Sequence, residues 1–216
     1  MIAIILTLGA ILAILLSAEA IRKQERWSNE KLRKFVHISV GVLVSTWPFY
    51  LSILTIELLC LAMIGAVLVS KYFNIFRSVH SIDRKTWGDV LFPLGIGLTV
   101  MIAQAPWVFT VAMLHLSVAD GAAALAGKRS TKSRNYNLLG QNKSVIGTLV
   151  FWLVSVLIIS VVVIAERDAL GYFTLPLLFW LPAVATLLEN ASPQGLDNLI
   201  VPFAVAVSLN LALAFA

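Results

Sequence analysis

Charged residues are scarce in this 216-residue chain, where they occupy 12% of the positions and hydrophobic residues occupy 60%. The mean hydropathy is +0.93. Soluble domains ordinarily carry about 25% charged residues, so the composition excludes an ordinary soluble globular protein. The sequence therefore predicts a polytopic membrane protein.

Several other features are also missing. The single cysteine, Cys60, excludes an intrachain disulfide. No basic segment precedes the first apolar run, as it would in a cleavable signal peptide, and basic residues follow the run instead. We therefore expect residues 2–21 to form a signal-anchor helix. Without low-complexity segments, heptads or convincing repeats, the chain is expected to form one integral membrane domain over residues 1–216.

Apolar runs long enough to cross a hydrocarbon core of about 30 Å recur along the chain. They predict an all-α bundle of seven or eight transmembrane helices, and we favour eight. The predicted spans are 2–21, 35–49, 51–70, 88–104, 107–127, 145–165, 173–189 and 199–215. Trp47–Phe49, Pro106 and Gly171 are predicted to lie in turns.

Lysine and arginine orient this bundle, because they mark the cytoplasmic ends of membrane helices. Residues 22–34, 71–85 and 128–143 hold all but one of the sixteen basic residues. With eight spans, these loops and the turn at 190–198 share the cytoplasmic side. No nucleic-acid-binding module accompanies the basic loops, so they indicate topology first and attraction to anionic lipids second.

Two stretches bring cations to the inner ends of helices. In LRKFVHISVG, Arg33, His37 and Gly41 are spaced to share one helical face, and Lys34 flanks it. The same residues also fit a structural interpretation, in which the cations reach the interface and Gly41 permits close helix packing. The stretch SIDRKTWGDVLFPLG, residues 81–95, carries two further cations to the start of another helix.

Asp120 lies in an apolar span, in the stretch VADGAAALAGKRS. An aspartate at the centre of a membrane helix costs about 3 kcal/mol, so a residue of this kind indicates a partner or a functional site. The following GAAALAGK is not a phosphate-binding P-loop. Five residues separate Gly121 from Gly127 where the motif has four, and Arg129 stands where Ser or Thr would bind magnesium.

The loop GKRSTKSRNYNLLGQNKS contains five basic residues and no acidic residue, which suits a polyphosphate. It ends at Ser144, which can cap the next helix and leave backbone amides free for an anion.

Three carboxylates, Asp120, Glu189 and Asp197, are expected to gather on this inner face. The cations expected beside them are Arg33, Lys34, Arg84, Lys85, Lys128 and Lys143. Oxygen ligands hold Mg²⁺ and cations neutralise phosphates, so this set of residues suits a magnesium-bound nucleotide. Asp197 could alternatively serve only as a helix N-cap.

The motifs RKFVH with Gly41, DRKTWGDVLFPLG, ADGAAALAGKR and NKSVIG resemble those of the CTP-dependent polyprenol kinase family. The C-terminal pattern of Glu189, Asp197, Asn198 and Pro202 belongs to the same resemblance, which covers about residues 32–202. The family includes phytol kinase and dolichol kinase and is related to the phosphatidate cytidylyltransferases. One departure is Ser130-Thr131-Lys132, where the family commonly has a glycine.

The resemblance implies a Mg²⁺-dependent kinase that moves the γ-phosphate of CTP to an isoprenoid alcohol, such as phytol, geranylgeraniol or dolichol, at the cytoplasmic face. Together with the motifs, it assigns catalytic roles to Asp120, Lys128, His37 and Arg33. Nucleotide or phosphate binding is assigned to Lys34, Arg84, Lys85, Gly121, Gly127, Arg129, Asn142, Lys143, Ser144 and Gly147. Metal binding is assigned to Asp120, Glu189 and Asp197. Whether Asp120 binds metal or accepts a proton stays open.

Three other functions fit parts of the pattern. A cytidylyltransferase would use the same metal and nucleotide with a lipid phosphate as nucleophile, and a CTP-dependent diacylglycerol kinase would share the kinase chemistry. A membrane transporter is the alternative from a different class. Transporters usually place their charges near the midplane at an inverted repeat, and no such repeat is visible in this sequence.

Overall fold

The computed structural model describes residues 1–25, 27–73, 75, 87–129 and 134–216. These residues form an α-helical bundle with one two-stranded hairpin. The helices are α1 Ile2–Lys23, α2 Asn29–Ser45, α3 Ile53–Phe73, α4 Gly88–Ile102, α5 Pro106–Leu114, α6 Asp120–Arg129, α7 Val145–Ala165, α8 Arg167–Leu170, α9 Thr174–Ala191 and α10 Asp197–Phe215. The strands are β1 Asn135–Leu138 and β2 Gln141–Ser144.

The predicted all-α membrane bundle is confirmed. Six helical stretches in the described residues are long and apolar enough to cross a membrane: α1, α3, α7, α10, the continuous run Pro106–Arg129 and the run Arg167–Ala191. The fourth helix, α4, is apolar but shorter. Each of the eight predicted spans coincides with a helix.

The second helix differs most from its predicted span. It begins at Asn29, six residues before the predicted start at residue 35. Its first turns carry charged residues, so a search for continuous apolar stretches leaves these turns out of the predicted span. Two of these side chains, Lys34 and Arg33, have partners inside the protein, so the helix can include them without facing lipid.

The centre of the bundle is the run from α5 to α6. Val108, Phe109, Ala112 and Met113 are almost fully buried there, between α2, α7 and α10. In contrast, α1 buries only Thr7 and Ala18 and packs mainly on α2. Its exposed leucines and isoleucines are suited to lipid contact, because the apolar bilayer replaces water as their solvent.

The run from α5 to α6 is interrupted by one π-helical segment, His115–Ala119. A π segment inserts an extra residue in the turn and changes which carbonyls are available to other partners. Here the carbonyl of Leu116 accepts a hydrogen bond from Nε2 of His37 on α2, at 2.8 Å. The segment therefore links α2 to the start of α6.

The predicted loop between residues 128 and 143 contains a β-hairpin instead. Strands β1 and β2 pair antiparallel through a turn at Leu139 and Gly140, both with positive φ angles of 49° and 76°. Two positive φ values in a two-residue turn match the twist of a hairpin. The predicted helix cap is confirmed, because Ser144 Oγ accepts from the Gly147 amide at 3.0 Å.

Helices α4 and α10 approach closely at Gly95. A Cβ at this position would overlap the backbone carbonyl of Asn198, which cannot move without shifting α10. We expect Gly95→Ala to lower the free energy of unfolding by about 1–3 kcal/mol. A thermal denaturation of the detergent-solubilised protein measures this effect.

The matched control is Gly65→Ala on α3, where a Cβ would have no neighbour within 4 Å. The same chemical change there should leave the denaturation midpoint equal to or above that of the wild type. Equal midpoints for the two variants would contradict the close approach at Gly95.

Candidate functional site

One end of the bundle contains an open cleft of about 840 Å³. Its walls come from the first turns of α2, from α6, from the hairpin and the start of α7, and from the turn between α9 and α10. The amide of Trp87, just before α4, donates to the carbonyl of Gln194 at 3.0 Å and joins α4 to that turn. Distant parts of the chain therefore build a single polar cavity.

The three predicted carboxylates meet in this cleft. Asp120 is the first residue of α6, Glu189 lies near the end of α9, and Asp197 begins α10. One oxygen atom from each lies within 4.8 Å of the other two. Carboxylate oxygens at this spacing can share one divalent cation.

Asp120 is held by two residues of α2. Its Oδ2 lies 2.5 Å from Nζ of Lys34 and 3.2 Å from Nε2 of His37. Lys34 and Asp120 are both buried, with 5% and 7% exposure. Both contacts are made by Oδ2 rather than Oδ1.

The helical face of α2 that meets Asp120 differs from the predicted one. The spacing of the sequence placed Arg33 with His37 and Gly41, whereas Lys34 contacts Asp120 beside His37. Gly41 lies on the same side, where a Cβ would overlap the Ser117 side chain. Lys34 lies three residues before His37 and seven before Gly41, and both spacings place side chains on one face of a helix.

Glu189 is paired with Lys143 of β2. The Lys143 ammonium lies 2.6 Å from Oε1 of Glu189 and 3.0 Å from the Glu189 backbone carbonyl. The hairpin thus delivers a second cation to the carboxylate cluster, in addition to Lys34 of α2.

Asp197 is the least satisfied carboxylate of the three. Its Oδ1 is buried and has no hydrogen-bond partner among the described residues, and the same is true of Oδ1 of Asn198. The N-cap of α10 is Leu196, and no side chain caps the helix. The alternative that Asp197 serves as an N-cap is therefore wrong. Buried polar atoms normally have a partner, so this oxygen fits a cation or ordered water.

Glu30 is a cleft residue that the sequence analysis missed. It binds the Arg33 guanidinium through both carboxylate oxygens, at 2.8 and 3.2 Å, and its Oε1 lies 3.8 Å from Nζ of Lys128. Glu30 lies outside the candidate membrane spans, between α1 and α3. Burial raises the pKa of Glu30, but the Arg33 hydrogen bonds and nearby cations lower that pKa to about 2. The ionised carboxylate therefore holds Arg33 at the rim.

The predicted phosphate-binding residues fall into two groups. Lys34, Gly127, Asn142, Lys143, Ser144 and Gly147 line the cleft, as do Arg33 and Lys128 from the catalytic set. A Cβ at Gly127 would lie 2.5 Å from Ser144 Oγ, so this glycine also allows α6 and α7 to pack.

The second group lies outside the cleft lining. Gly121 packs against Ile38, and Arg129 is exposed at the end of α6. Arg84, Lys85 and the departure at residues 130–132 lie outside the described residues. The roles assigned to all these positions stay predictions.

The chain is 30% identical over 203 residues to the Phytol kinase of Synechocystis sp., an alignment that covers 90% of this chain and 84% of the relative. It belongs to the phytol kinase family. No protein-family model matches the sequence, and no solved structure matches it significantly. Family membership therefore depends on a full-length relative, and the alignment extends over nearly all of the bundle.

The buried contact between Lys34 and Asp120 generates a stability prediction. Lys34→Met leaves the carboxylate of Asp120 without its ammonium, which should lower the free energy of unfolding by about 3 kcal/mol. In the double variant Lys34→Met/Asp120→Asn the uncompensated charge is gone, so stability should partly return. Denaturation midpoints of the three proteins measure this effect.

Lys31→Met is the matched control, because Lys31 lies on the same helix with an exposed side chain. It should unfold at the wild-type temperature. A double variant less stable than Lys34→Met would show that the pair is not a compensated buried ion pair.

Proposed function

We propose that this protein is a kinase that transfers the γ-phosphate of CTP to the hydroxyl group of an isoprenoid lipid alcohol, with Mg²⁺. Membership in the phytol kinase family supports the reaction class. The observation that carries the proposal is the carboxylate cluster of Asp120, Glu189 and Asp197, with ligand oxygens within 4.8 Å in a polar cleft at the helix ends.

The residues present fit a magnesium ion. Three carboxylates supply the hard oxygen ligands that Mg²⁺ requires, and Oδ1 of Asp197 is a buried acceptor without a partner among the described residues. Asp120 would contribute one carboxylate oxygen to this ion, and Lys34 and His37 hold its Oδ2 in place. When bound, the metal would neutralise charge on the nucleotide phosphates.

The cations around the cluster would position and neutralise the triphosphate. Lys34 comes from α2 and Lys143 from β2, and the Arg33 guanidinium, which also lines the cleft, is hydrogen-bonded to Glu30. In the reaction, a bond forms between the alcohol oxygen and the γ-phosphorus, and the bond from that phosphorus to the β-γ bridging oxygen breaks. CDP leaves, and the hydroxyl proton passes to water in the open cleft. Catalysis of this kind depends mainly on positioning and charge.

The location of the cleft suits a reaction between a soluble and a lipid substrate. It lies at the ends of apolar helices, where an alcohol can project its hydroxyl group from the bilayer while its chain stays among lipid tails. The basic loops favour the cytoplasmic side for this end of the bundle, which would give access to CTP.

A phosphoryl-transfer assay on the purified protein tests this function. With γ-labelled CTP and Mg²⁺, we expect label in phytol, geranylgeraniol or a long polyprenol, and little in diacylglycerol. Asp120→Asn should reduce the rate by a factor on the order of 10² or more, because it removes an anionic ligand from the proposed metal site. Glu57→Gln, on α3 outside the cleft, should retain wild-type activity.

Other outcomes identify the alternatives. Labelled diacylglycerol alone would indicate a diacylglycerol kinase, and a cytidine lipid from α-labelled CTP and phosphatidate would indicate a cytidylyltransferase. Folded protein that is silent in both assays would refute the kinase and favour transport.

Metal dependence gives a second test of the same cluster. Glu189→Gln and Asp197→Asn should each raise the Mg²⁺ concentration for half-maximal activity by about tenfold or more, because each removes one anionic ligand. Binding of Mn²⁺, followed by its paramagnetic resonance spectrum, should weaken in parallel. The control Asp168→Asn, at an exposed position of α8, should change neither quantity. Unchanged Mn²⁺ binding in both cluster variants would contradict a metal site here.

A further inference from the structure

The β-hairpin presents two functional side chains on one face. Tyr136 of β1 stands directly opposite Lys143 of β2. Directly opposed residues in an antiparallel pair project to the same side of the ribbon. The phenol ring and the ammonium therefore approach the helices together.

Both side chains bind consecutive residues of α9. The Tyr136 hydroxyl donates to Oδ1 of Asn190 at 2.7 Å, and the Lys143 ammonium binds Oε1 of Glu189 at 2.6 Å. The hydroxyl of Thr148, on α7, lies 2.5 Å from the Tyr136 oxygen and 3.0 Å from Asn190 Oδ1, and its single proton serves one of these two contacts. A single phenol group thus joins the hairpin to two helices.

Asn190 is a well-defined anchor for this contact. It is 3% exposed, and its Nδ2 donates to the carbonyl of Thr186 one turn earlier, at 2.8 Å. The amide group cannot rotate without losing that bond, so Oδ1 stays directed towards Tyr136 and Thr148. A buried amide whose oxygen and nitrogen atoms both form hydrogen bonds fixes the positions of its partners.

The hairpin needs such an anchor. Two four-residue strands are marginally stable on their own, and Lys143 carries a long flexible side chain. At the base of the hairpin, the Val145 amide donates to the Arg134 carbonyl at 3.0 Å, beside the Ser144 helix cap. These bonds secure the exit to α7, while the Tyr136 contact secures the first strand.

We propose that Tyr136 is a positioning residue that holds the hairpin on α7 and α9 and thereby places the Lys143 ammonium at the carboxylate cluster. This inference rests on the proposed function for its kinetic consequence, since Lys143 would there bind the nucleotide phosphates. Tyr136 is not part of the described cleft lining, so its effect would pass through the paired strand that carries Lys143.

Tyr136→Phe tests the proposal, because it removes only the hydroxyl group. We expect KM for CTP to rise about tenfold, the order expected for loss of one hydrogen bond at a partly buried site, with kcat within about twofold of wild type. Tyr172→Phe is the matched control on an exposed turn, where the side chain is 94% exposed. It should leave both constants unchanged.

A double-mutant cycle separates positioning from a general loss of structure. If Tyr136 acts through Lys143, then Tyr136→Phe in a Lys143→Met background should change KM by less than about twofold. The same tenfold rise in that background, or no rise in the single variant, would overturn the proposal. If Tyr136→Phe fails to fold, Thr148→Val removes one of the two hydroxyl contacts and should show a smaller change of the same kind.

Hydrogen–deuterium exchange distinguishes failure of this inference from failure of the proposed function. Without nucleotide, amides of residues 135–144 should exchange faster in Tyr136→Phe than in the wild type and Tyr172→Phe. If the wild type phosphorylates no lipid, the kinase proposal fails. The exchange result alone then tests whether Tyr136 holds the hairpin in place. Unchanged exchange in the hairpin would then refute it.

Discussion

Neutralisation of carboxylate charge at the end of an apolar bundle is the constraint on which the rest of this structure depends. Desolvation of an ionised carboxylate is costly unless a partner of opposite charge lies within reach. Asp120 has Lys34, and Glu189 has Lys143, while Asp197 keeps a buried oxygen without a described partner. Only two of the three clustered carboxylates have an ammonium partner among the described residues, and this is one reason why we propose a metal cation there.

Small residues and a local helix irregularity bring these charges together. Gly41 lets α2 approach the π segment, and Gly127 lets α6 pack beside the start of α7. The π segment then presents a carbonyl to His37, whose ring also packs against Phe92 with centroids 4.8 Å apart. Lys34 and His37 therefore reach Asp120 from a helix that is held by close packing at Gly41 and by the contacts of the His37 ring, as a preorganised site requires.

Sequence patterns predicted the helices and the carboxylate cluster well, because apolar length and an isolated aspartate in a span have strong energetic consequences. The π segment and the hairpin were missed, since no composition rule separates a π turn from α-helix, and the basic loop resembled an irregular segment. Glu30 was missed because its importance lies in a partner, Arg33, that only the folded geometry shows. The sequence analysis grouped Arg33 with His37 and Gly41 by a spacing of four, whereas Lys34, at a spacing of three from His37, is the residue that contacts Asp120.

The second helix has a consequence for how the protein enters the membrane. It is absent from the six described stretches that are apolar enough to cross on their own, and its Lys34 finds its partner 86 residues later in the chain. During synthesis the Lys34 ammonium group has no carboxylate partner for burial until the start of α6 has been made. Stable insertion of α2 and assembly of the cleft are therefore one coupled event, so defects in the cleft should also appear as defects in membrane integration.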